Sequence, residues 1–325
     1  ANSIHVVMGN EACDLDSTVS ALALAYFLAK TSPAPKAAFI PVLNIPRAEF
    51  PLRTETTFLL RERGVPATSL IFRDEIDLGG LHRAGLLSLT LVDHHVLPSA
   101  DAALEEAVVE VLDHRPLERD RGASCRVTAE PVGSCATLVT ERIAQGPPGI
   151  LDRLTAALLH GTILLDCVNL SPAAGKVTPR DVACVSLLEE RFPDLPARDT
   201  IFQALQAAKF DVSGLTTEQM LRKDLKVLSN EELALAISAI YVDLEVCQAL
   251  EEATTPSLHL QPLLSPWSCL GTYTQGNALA SRKKVLPILR AALGGQGAAG
   301  GAGEEEVVPP PTPMNSLVEE CPLAQ

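Results

Sequence analysis

The chain has 325 residues and a formal net charge of −14; 47% of its residues are hydrophobic and only 4% are aromatic. This length predicts two domains and a tail, and an aliphatic composition is typical of packed α/β layers. The negative charge argues against DNA as a partner, because nothing offsets phosphate repulsion. The eight cysteines form no Cys-x-x-Cys pair, which indicates reduced thiols and a cytoplasmic location, with the nucleus as an alternative. No apolar run is long enough to predict membrane insertion.

The first part of the chain alternates strand-like apolar runs with helical segments. Strands are predicted at 4–8, 38–43, 69–72, 86–92, 108–112 and 162–165, and helices at 19–28, 55–63, 134–143 and 151–160, with one helical turn at 102–107. This alternation over about the first 190 residues predicts a largely parallel sheet flanked by helices. In such a sheet, the carboxyl ends of the strands form the edge that binds ligands.

Acidic side chains follow several of these predicted strands. Asp14 and Asp16 lie one residue apart in the loop after the first strand, and Asp166 follows the run 162–165. A lone Asp-x-Asp more often caps a helix, a role that Ser17 could share. Two further strands, however, each end in an Asp-His pair, and such repetition favours a metal site over packing. The residues expected to converge are Asp14, Asp16, Asp93, His114 and Asp166.

A cluster of four carboxylates and one imidazole implies bound cations, because the carboxylates would otherwise repel one another. Oxygen-rich ligation favours Mn or Mg over zinc. With one carboxylate bridging, the cluster could hold two divalent cations about 3.5–4 Å apart, which would activate a shared water and stabilise charge on phosphoryl oxygens. The predicted chemistry is hydrolysis at phosphorus.

The second part of the chain is predicted to contain a smaller α/β domain and a tail. A linker is expected near 193–196, followed by helices at 200–208 and 217–227, a strand at 235–242 and a helix at 278–293 that carries the basic run 282–284. From residue 294 the sequence is Gly/Ala-rich, then acidic, then proline-rich, which predicts disorder. Such a tail either keeps the protein soluble or docks on cytosolic protein partners.

The order of these motifs resembles the DHH phosphoesterase superfamily, in the branch that contains the family II inorganic pyrophosphatases. The matching segments are Asp14-x-Asp16, Leu91-Val92-Asp93-His94-His95, Glu110-Val111-Leu112-Asp113-His114-Arg115, Glu130-Pro131-Val132-Gly133, the Asp166 position and Ser281-Arg282-Lys283-Lys284. The resemblance implies an N-terminal DHH domain over 1–192, a linker over 193–215, a smaller DHHA2-type α/β domain over 216–293 and a disordered tail over 294–325.

The resemblance also implies a role for each metal ligand. Asp14 would bind one metal, Asp16 and Asp166 the other, and the catalytic Asp93 would bridge the two. The visible Asp-His-His at 93–95 occupies the place of an earlier family motif, so His114 is the expected imidazole ligand. Asn10 stands where pyrophosphatases have a histidine ligand, and its neutral amide oxygen would bind metal more weakly.

The implied substrate-binding residues are all cationic. Arg115 replaces a family histidine that would contact substrate, and it is expected to act in catalysis. Lys226, Arg282 and Lys283 match the family's phosphate clamp. The interval between Lys226 and Arg282 is some tens of residues too short for a complete second domain, which suggests a shortened variant whose clamp does not reach the metals.

The resemblance implies a hydrolase that cleaves phosphoanhydride bonds in short-chain inorganic polyphosphates or pyrophosphate, using a metal-bridging hydroxide. One alternative is hydrolysis of a cyclic nucleotide, although the few aromatic residues offer little surface on which a base could stack. A second alternative is a catalytically weak interaction or scaffold protein that acts through its C-terminal tail.

Overall fold

The computed structural model describes residues 3–33, 37–117, 125–223, 226–229, 234–237, 260–263 and 272–275. The chain divides into two units, residues 1–239 and 240–325. In the described part, the first unit contains eight strands and eight α-helices, and the second contains two strands. Within these residues no helix combines the length and the apolar composition needed to cross a membrane.

The first unit is built on a parallel sheet of six strands in the order β3-β2-β1-β4-β5-β6. Its strands are β1 (Ile4–Met8), β2 (Ala38–Leu43), β3 (Ile71–Phe72), β4 (Leu87–Val92), β5 (Val108–Asp113) and β6 (Arg126–Ala129). This sheet confirms the predicted α/β class. The sequence pattern missed β6, because four residues of mixed polarity carry no clear strand period.

The helices are α1 (Leu15–Thr31), α2 (Thr54–Glu62), α3 (Leu78–Arg83), α4 (Cys135–Ala144), α5 (Arg153–Asp166), α6 (Pro179–Arg191), α7 (Arg198–Phe210) and α8 (Thr217–Lys223). Short 3-10 helices occupy Arg47–Leu52, Ala67–Ser69, Arg73–Glu75, Ser99–Ala107 and Pro172–Ala174. Helices α3 and α6 were not predicted, and α1 begins before the predicted residue 19.

Two apolar cores cover the two faces of the sheet, and adjacent residues of β1 belong to different cores. Val7 belongs to the core that includes residues of α1, α4 and α5. Val6 and Met8 belong to a second core on the other face, with Leu78 of α3 and Leu104. Because successive strand residues point to opposite faces, a continuous apolar strand is buried on both sides.

The predicted strand at 162–165 is wrong. These residues continue α5, which runs unbroken from Arg153 to Asp166, so Asp166 is the last residue of a helix and not a strand end. Nearly every side chain from Thr155 to Asp166 is buried. A helix that is apolar on all sides shows no helical period, and its last turn is then indistinguishable from a short strand.

The prediction of a helix over 217–227 is wrong in its last part. Helix α8 ends at Lys223, and a strand, β7 (Lys226–Ser229), pairs antiparallel with β8 (Ala234–Ile237). In the second unit, β9 (Leu260–Leu263) pairs antiparallel with β10 (Thr272–Gln275). The predicted helix at 278–293 and the tail at 294–325 lie outside the described residues, and the proposed domain boundaries stay predictions.

Candidate metal centre

The candidate site lies at the carboxyl ends of three adjacent strands. β1 pairs with β4, and β4 pairs with β5. Asn10 follows β1, Asp93 comes directly after β4, and His114 directly after β5. Gly9 is required at this edge, because a Cβ there would lie 2.6 Å from the Cβ of Ser17 in the first turn of α1. The parallel sheet therefore brings together groups that are distant in sequence.

Asp16, Asp93 and His114 form the centre of the site. Each offers a ligand atom, and these atoms all lie within 4.8 Å of one another. The Nδ1 atom of His114 lies 2.9 Å from the Val132 carbonyl oxygen and must donate to it, so the neutral ring keeps its lone pair on Nε2. That Nε2 atom lies 3.2 Å from Oδ1 of Asp93. The ring is thus oriented as a metal-binding histidine requires.

Asp16 is held by the beginning of α4. Its Oδ2 accepts a hydrogen bond of 2.7 Å from the Cys135 amide, and its Oδ1 accepts one of 2.8 Å from the Ala136 amide. These amides have no partner within their helix, and the positive end of the helix dipole favours a carboxylate. The turn that opens α4 was predicted, but its contact with Asp16 was not.

Asp93 has an unusual backbone and a crowded carboxylate. Its φ angle is +59°, in the left-handed region that non-glycine residues seldom adopt. Its Oδ2 accepts a 2.6 Å hydrogen bond from Ser17 Oγ and one of 3.0 Å from the Asn10 side chain. Ser17 therefore orients Asp93 rather than capping α1, and Asp14 supplies the helix cap by accepting from the Ser17 amide at 3.0 Å.

Five residues were predicted to converge, and Asp14 and Asp166 are not in the three-residue group whose ligand atoms lie within 4.8 Å of one another. The charge of Asp16 nevertheless acts on both of them. Burial raises the pKa of Asp14, and the Asp16 charge raises it further. Burial and the charges of Asp16 and Asp14 raise the pKa of Asp166 well above its usual value, although Lys176 acts in the opposite direction. The buried Oδ2 atom of Asp166 has no hydrogen-bond partner in the protein. Negative charge in the site is thus incompletely compensated.

The pKa values of Asp16 and His114 are likewise shifted by burial and by neighbouring charges. Burial and the Asp93 charge raise the pKa of Asp16, against the opposing effect of His114. Burial lowers the pKa of His114, but its hydrogen bond to Asp93 and the neighbouring carboxylates raise it overall to about 10. A proton on His114 therefore offsets the repulsion among the neighbouring carboxylates, and a metal cation bound there would offset it in the same way.

Asn10 and Arg115 both contact Asp93. The Asn10 amide nitrogen lies 3.0 Å from the Asp93 carboxylate, while its Oδ1 accepts from the Ala12 amide at 3.0 Å. Arg115 NH2 lies 3.2 Å from Asp93 Oδ1, and its NH1 donates to the Asp93 carbonyl oxygen at 2.5 Å. In this arrangement Asn10 acts as a donor to a metal-ligating carboxylate, and its predicted role as a ligand stays a prediction.

The predicted phosphate clamp is not placed at the site. Lys226 begins β7, whose backbone alone is described. Arg282 and Lys283 lie outside the described residues. Their roles in binding substrate stay predictions, as does that of Arg115, whose side chain is 26% exposed.

Asp113 and His95 form a buried pair next to His114, and neither of them was assigned a role from the sequence. Asp113 is fully buried, and its Oδ2 lies 2.5 Å from Nδ1 of His95. Its Oδ1 accepts from the His114 amide at 2.7 Å and from Arg115 at 3.3 Å. The Asp-His pairs at 93–95 and 113–114 signalled these contacts, because strands β4 and β5 are adjacent.

Family models and known proteins identify the family to which the chain belongs. Residues 5–163 match the N-terminal domain of the DHH family, and residues 203–246 match the DHHA2 domain. The chain belongs to the DHH family. The family, the parallel sheet and the acidic site at its carboxyl edge together support the assignment of this chain to the phosphoesterase hydrolases.

Within that family, the chain is similar to prune proteins. It is 48% identical to mouse exopolyphosphatase PRUNE1 over 408 positions, covering 99% of this chain and 90% of the mouse protein. It is likewise 48% identical to human exopolyphosphatase PRUNE1, with the same coverage of both chains. A solved structure from Methanococcus jannaschii, provisionally assigned as a family II inorganic pyrophosphatase, shares the fold with a TM-score of 0.52 and 24% identity, covering 71% of this chain and 69% of that one.

The alignment with the mouse protein also reveals a difference in length. It spans 408 positions, whereas this chain has 325 residues, so at least 83 positions of the mouse protein have no counterpart here. The DHHA2 match ends at residue 246, before the basic run 282–284. The prediction that the second domain is shortened stays a prediction, because the alignment length does not locate the unmatched positions.

Proposed function

We propose that this chain is a metal-dependent phosphohydrolase that cleaves phosphoanhydride bonds in short inorganic polyphosphates or pyrophosphate. The observation that carries this proposal is the convergence of Asp16, Asp93 and His114, with ligand atoms within 4.8 Å of one another. The substrate class is taken from the exopolyphosphatases to which the chain is 48% identical.

The donor set fits divalent cations. Carboxylate oxygens with one imidazole suit Mn or Mg. The orphaned Oδ2 atom of Asp166 supports this fit, because a buried carboxylate oxygen without a partner is costly unless a cation binds it. Two cations would be held by Asp14, Asp16, Asp93, His114 and Asp166. When bound, they would lower the pKa of a water molecule and neutralise charge on phosphoryl oxygens.

The chain's own residues would keep the ligands in position. Ser17 and Asn10 hold one oxygen of Asp93, and the two amides at the start of α4 hold Asp16. The Nδ1 hydrogen bond of His114 keeps Nε2 directed at the carboxylates. Arg115 already bonds Asp93 and Asp113, and its exposed part offers a fixed positive charge to a phosphate oxygen. Such preorganised ligands need little rearrangement when substrate binds.

A second candidate function is that of an interaction protein with weak catalysis. The observation that favours it is the loss of at least 83 positions (408 aligned against 325 present) relative to mouse PRUNE1. If the clamp formed by Lys226, Arg282 and Lys283 is incomplete, substrate would be held only by the first domain. The tail at 294–325 would then be the segment that binds cytosolic proteins.

The two candidate functions predict different rates of hydrolysis of phosphate substrates. We would measure phosphate release from pyrophosphate, tripolyphosphate and tetrapolyphosphate, and AMP formation from cyclic AMP, each with Mg or Mn. The variant Asp93→Asn should abolish turnover. The control Asp194→Asn should not, because Asp194 is an exposed residue paired with Arg153.

Release from the short polyphosphates that depends on Asp93 would support the hydrolase. AMP formation as the main activity would instead establish the phosphodiesterase alternative. A folded chain that binds Mn but turns over none of these substrates would contradict the proposal and favour the interaction protein.

A further inference from the structure

Two cationic residues of the first unit, Arg53 and Lys209, lie near the loop that carries Asp14. Arg53 immediately precedes α2, and its Nε donates a 2.6 Å hydrogen bond to the Ala12 carbonyl oxygen. The next residue, Thr54, donates from its hydroxyl to the Lys209 carbonyl oxygen at 3.3 Å. Helix α7, whose last turn contains Lys209, packs against α2. These contacts bring Arg53 and Lys209 to the same side of the site.

Lys209 is a buried cation that forms no ion pair with any residue that the structure describes. The residue is only 8% exposed, and in the part of the chain that the structure describes its ammonium takes part in no hydrogen bond or ion pair. Lysines are seldom buried unless they are paired, so an unpaired one indicates a partner that binds from solution.

The position of Lys209 indicates what that partner is. Its charge acts on Asp14, where it opposes the increase in pKa that burial and Asp16 cause. The contacts of Arg53 with Ala12 and of Thr54 with Lys209 place α7 next to the loop that carries Asp14. A phosphate held by metals at this loop would therefore lie near the Lys209 side chain. Arg53 adds a second positive group, since the only hydrogen-bond partner of its side chain in the described residues is the neutral Ala12 carbonyl.

We propose that Lys209 is a substrate-binding residue, whose ammonium binds an anionic oxygen of the phosphate at the metal centre, with Arg53 as a second cation at its rim. This inference rests on the proposed function and extends it. It supplies phosphate-binding charge from the first unit, independent of Arg282 and Lys283. The ligand class is inorganic phosphate or the terminal phosphate of a short polyphosphate.

The test compares Lys209→Met with Lys209→Arg, and uses Lys223→Met as the matched control. The Lys223 side chain is similarly buried, at 5% exposed, but already lies 3.2 Å from the Leu52 carbonyl oxygen and close to Glu55. Binding of orthophosphate in the presence of Mn would be measured by calorimetry, together with KM and kcat for tripolyphosphate and the affinity for Mn alone.

We expect Lys209→Met to weaken orthophosphate binding and raise KM by about tenfold or more, the usual effect of losing a hydrogen bond to a charged group. Lys209→Arg should restore most of the binding. Mn affinity should stay equal or increase, because a positive charge near Asp14 has been removed. Lys223→Met should lower stability without changing phosphate affinity.

Unchanged phosphate binding and KM in a folded Lys209→Met protein would overturn the inference while leaving the proposed function intact. If the wild-type chain hydrolyses nothing, the proposed function fails, and the orthophosphate titration still decides the role of Lys209. If Lys209→Met does not fold, Lys209→Gln and Arg53→Gln carry the same comparison. Absence of phosphate binding by the wild-type chain would overturn the role of Lys209, whereas the proposed function would still be decided by the turnover assay.

Discussion

Replacing Asp166 with asparagine should change stability in opposite directions with and without metal. The Asp166 carboxylate is 7% exposed, one of its oxygens has no hydrogen bond, and Asp16 and Asp14 repel it. Removing an unpaired buried charge should stabilise the metal-free protein by about 1–3 kcal/mol. For a domain of this size that corresponds to a Tm increase of roughly 2–4 °C for each kcal/mol.

Bound metal should reduce the stability advantage of Asp166→Asn, and reverse it once metal stabilises the wild-type chain by more than that advantage. A cation at one hundred times its dissociation constant stabilises the folded chain by about 2.7 kcal/mol. The variant lacks one ligand, so its metal-dependent increase in Tm should be smaller. The assay is a thermal unfolding series in chelator and in increasing Mn or Mg.

The effect should also depend on pH. Because the pKa of Asp166 is raised in the folded state, its protonated form adds stability that is lost as pH rises through the folded-state pKa. In chelator, the advantage of Asp166→Asn should therefore increase with pH and vanish below the usual pKa of an aspartate, about 3.9.

A buried aspartate outside the cluster provides the control. Asp181 accepts hydrogen bonds from the Gly133 amide at 2.9 Å, Thr137 Oγ1 at 2.6 Å and Thr178 Oγ1 at 2.7 Å. Asp181→Asn should destabilise the chain with or without metal, because its amide group cannot accept at both positions. If Asp166→Asn were destabilising in chelator to the same extent, and kept the full metal-dependent shift, the inferred charge cluster would be refuted.

Two further predictions concern the residues that support the site. Gly9→Ala should destabilise the chain by about 1–3 kcal/mol in urea unfolding, because the new Cβ would lie 2.6 Å from Ser17 Cβ. The control is Gly214→Ala, whose new Cβ would meet no atom within 4 Å. Equal destabilisation by the two substitutions would contradict the reasoning. Ser17→Ala should destabilise the metal-free protein by about 1–2 kcal/mol, because Asp93 loses its 2.6 Å hydrogen bond. Ser20→Ala should cost less, because Asp16 keeps its backbone donors; a larger loss there would argue against this account.

The sequence by itself determined the parallel α/β sheet and the edge at which Asp16, Asp93 and His114 meet. Strand-like runs that end in Asp or Asp-His are local signals, and parallel pairing places their carboxyl ends at one edge. The ordered motifs were also enough to indicate the DHH family.

The tertiary structure decided how the individual side chains are used. It placed Asp166 at the end of a helix, because a segment buried on all sides has no period that separates helix from strand. It turned the Asn10 amide toward Asp93 and paired Arg115 with the same carboxylate across 22 residues of sequence. It also packed α7, which carries Lys209, against α2 near the loop of Asp14. These contacts join residues distant in the chain, and only the packing of helices on the sheet fixes which of them meet.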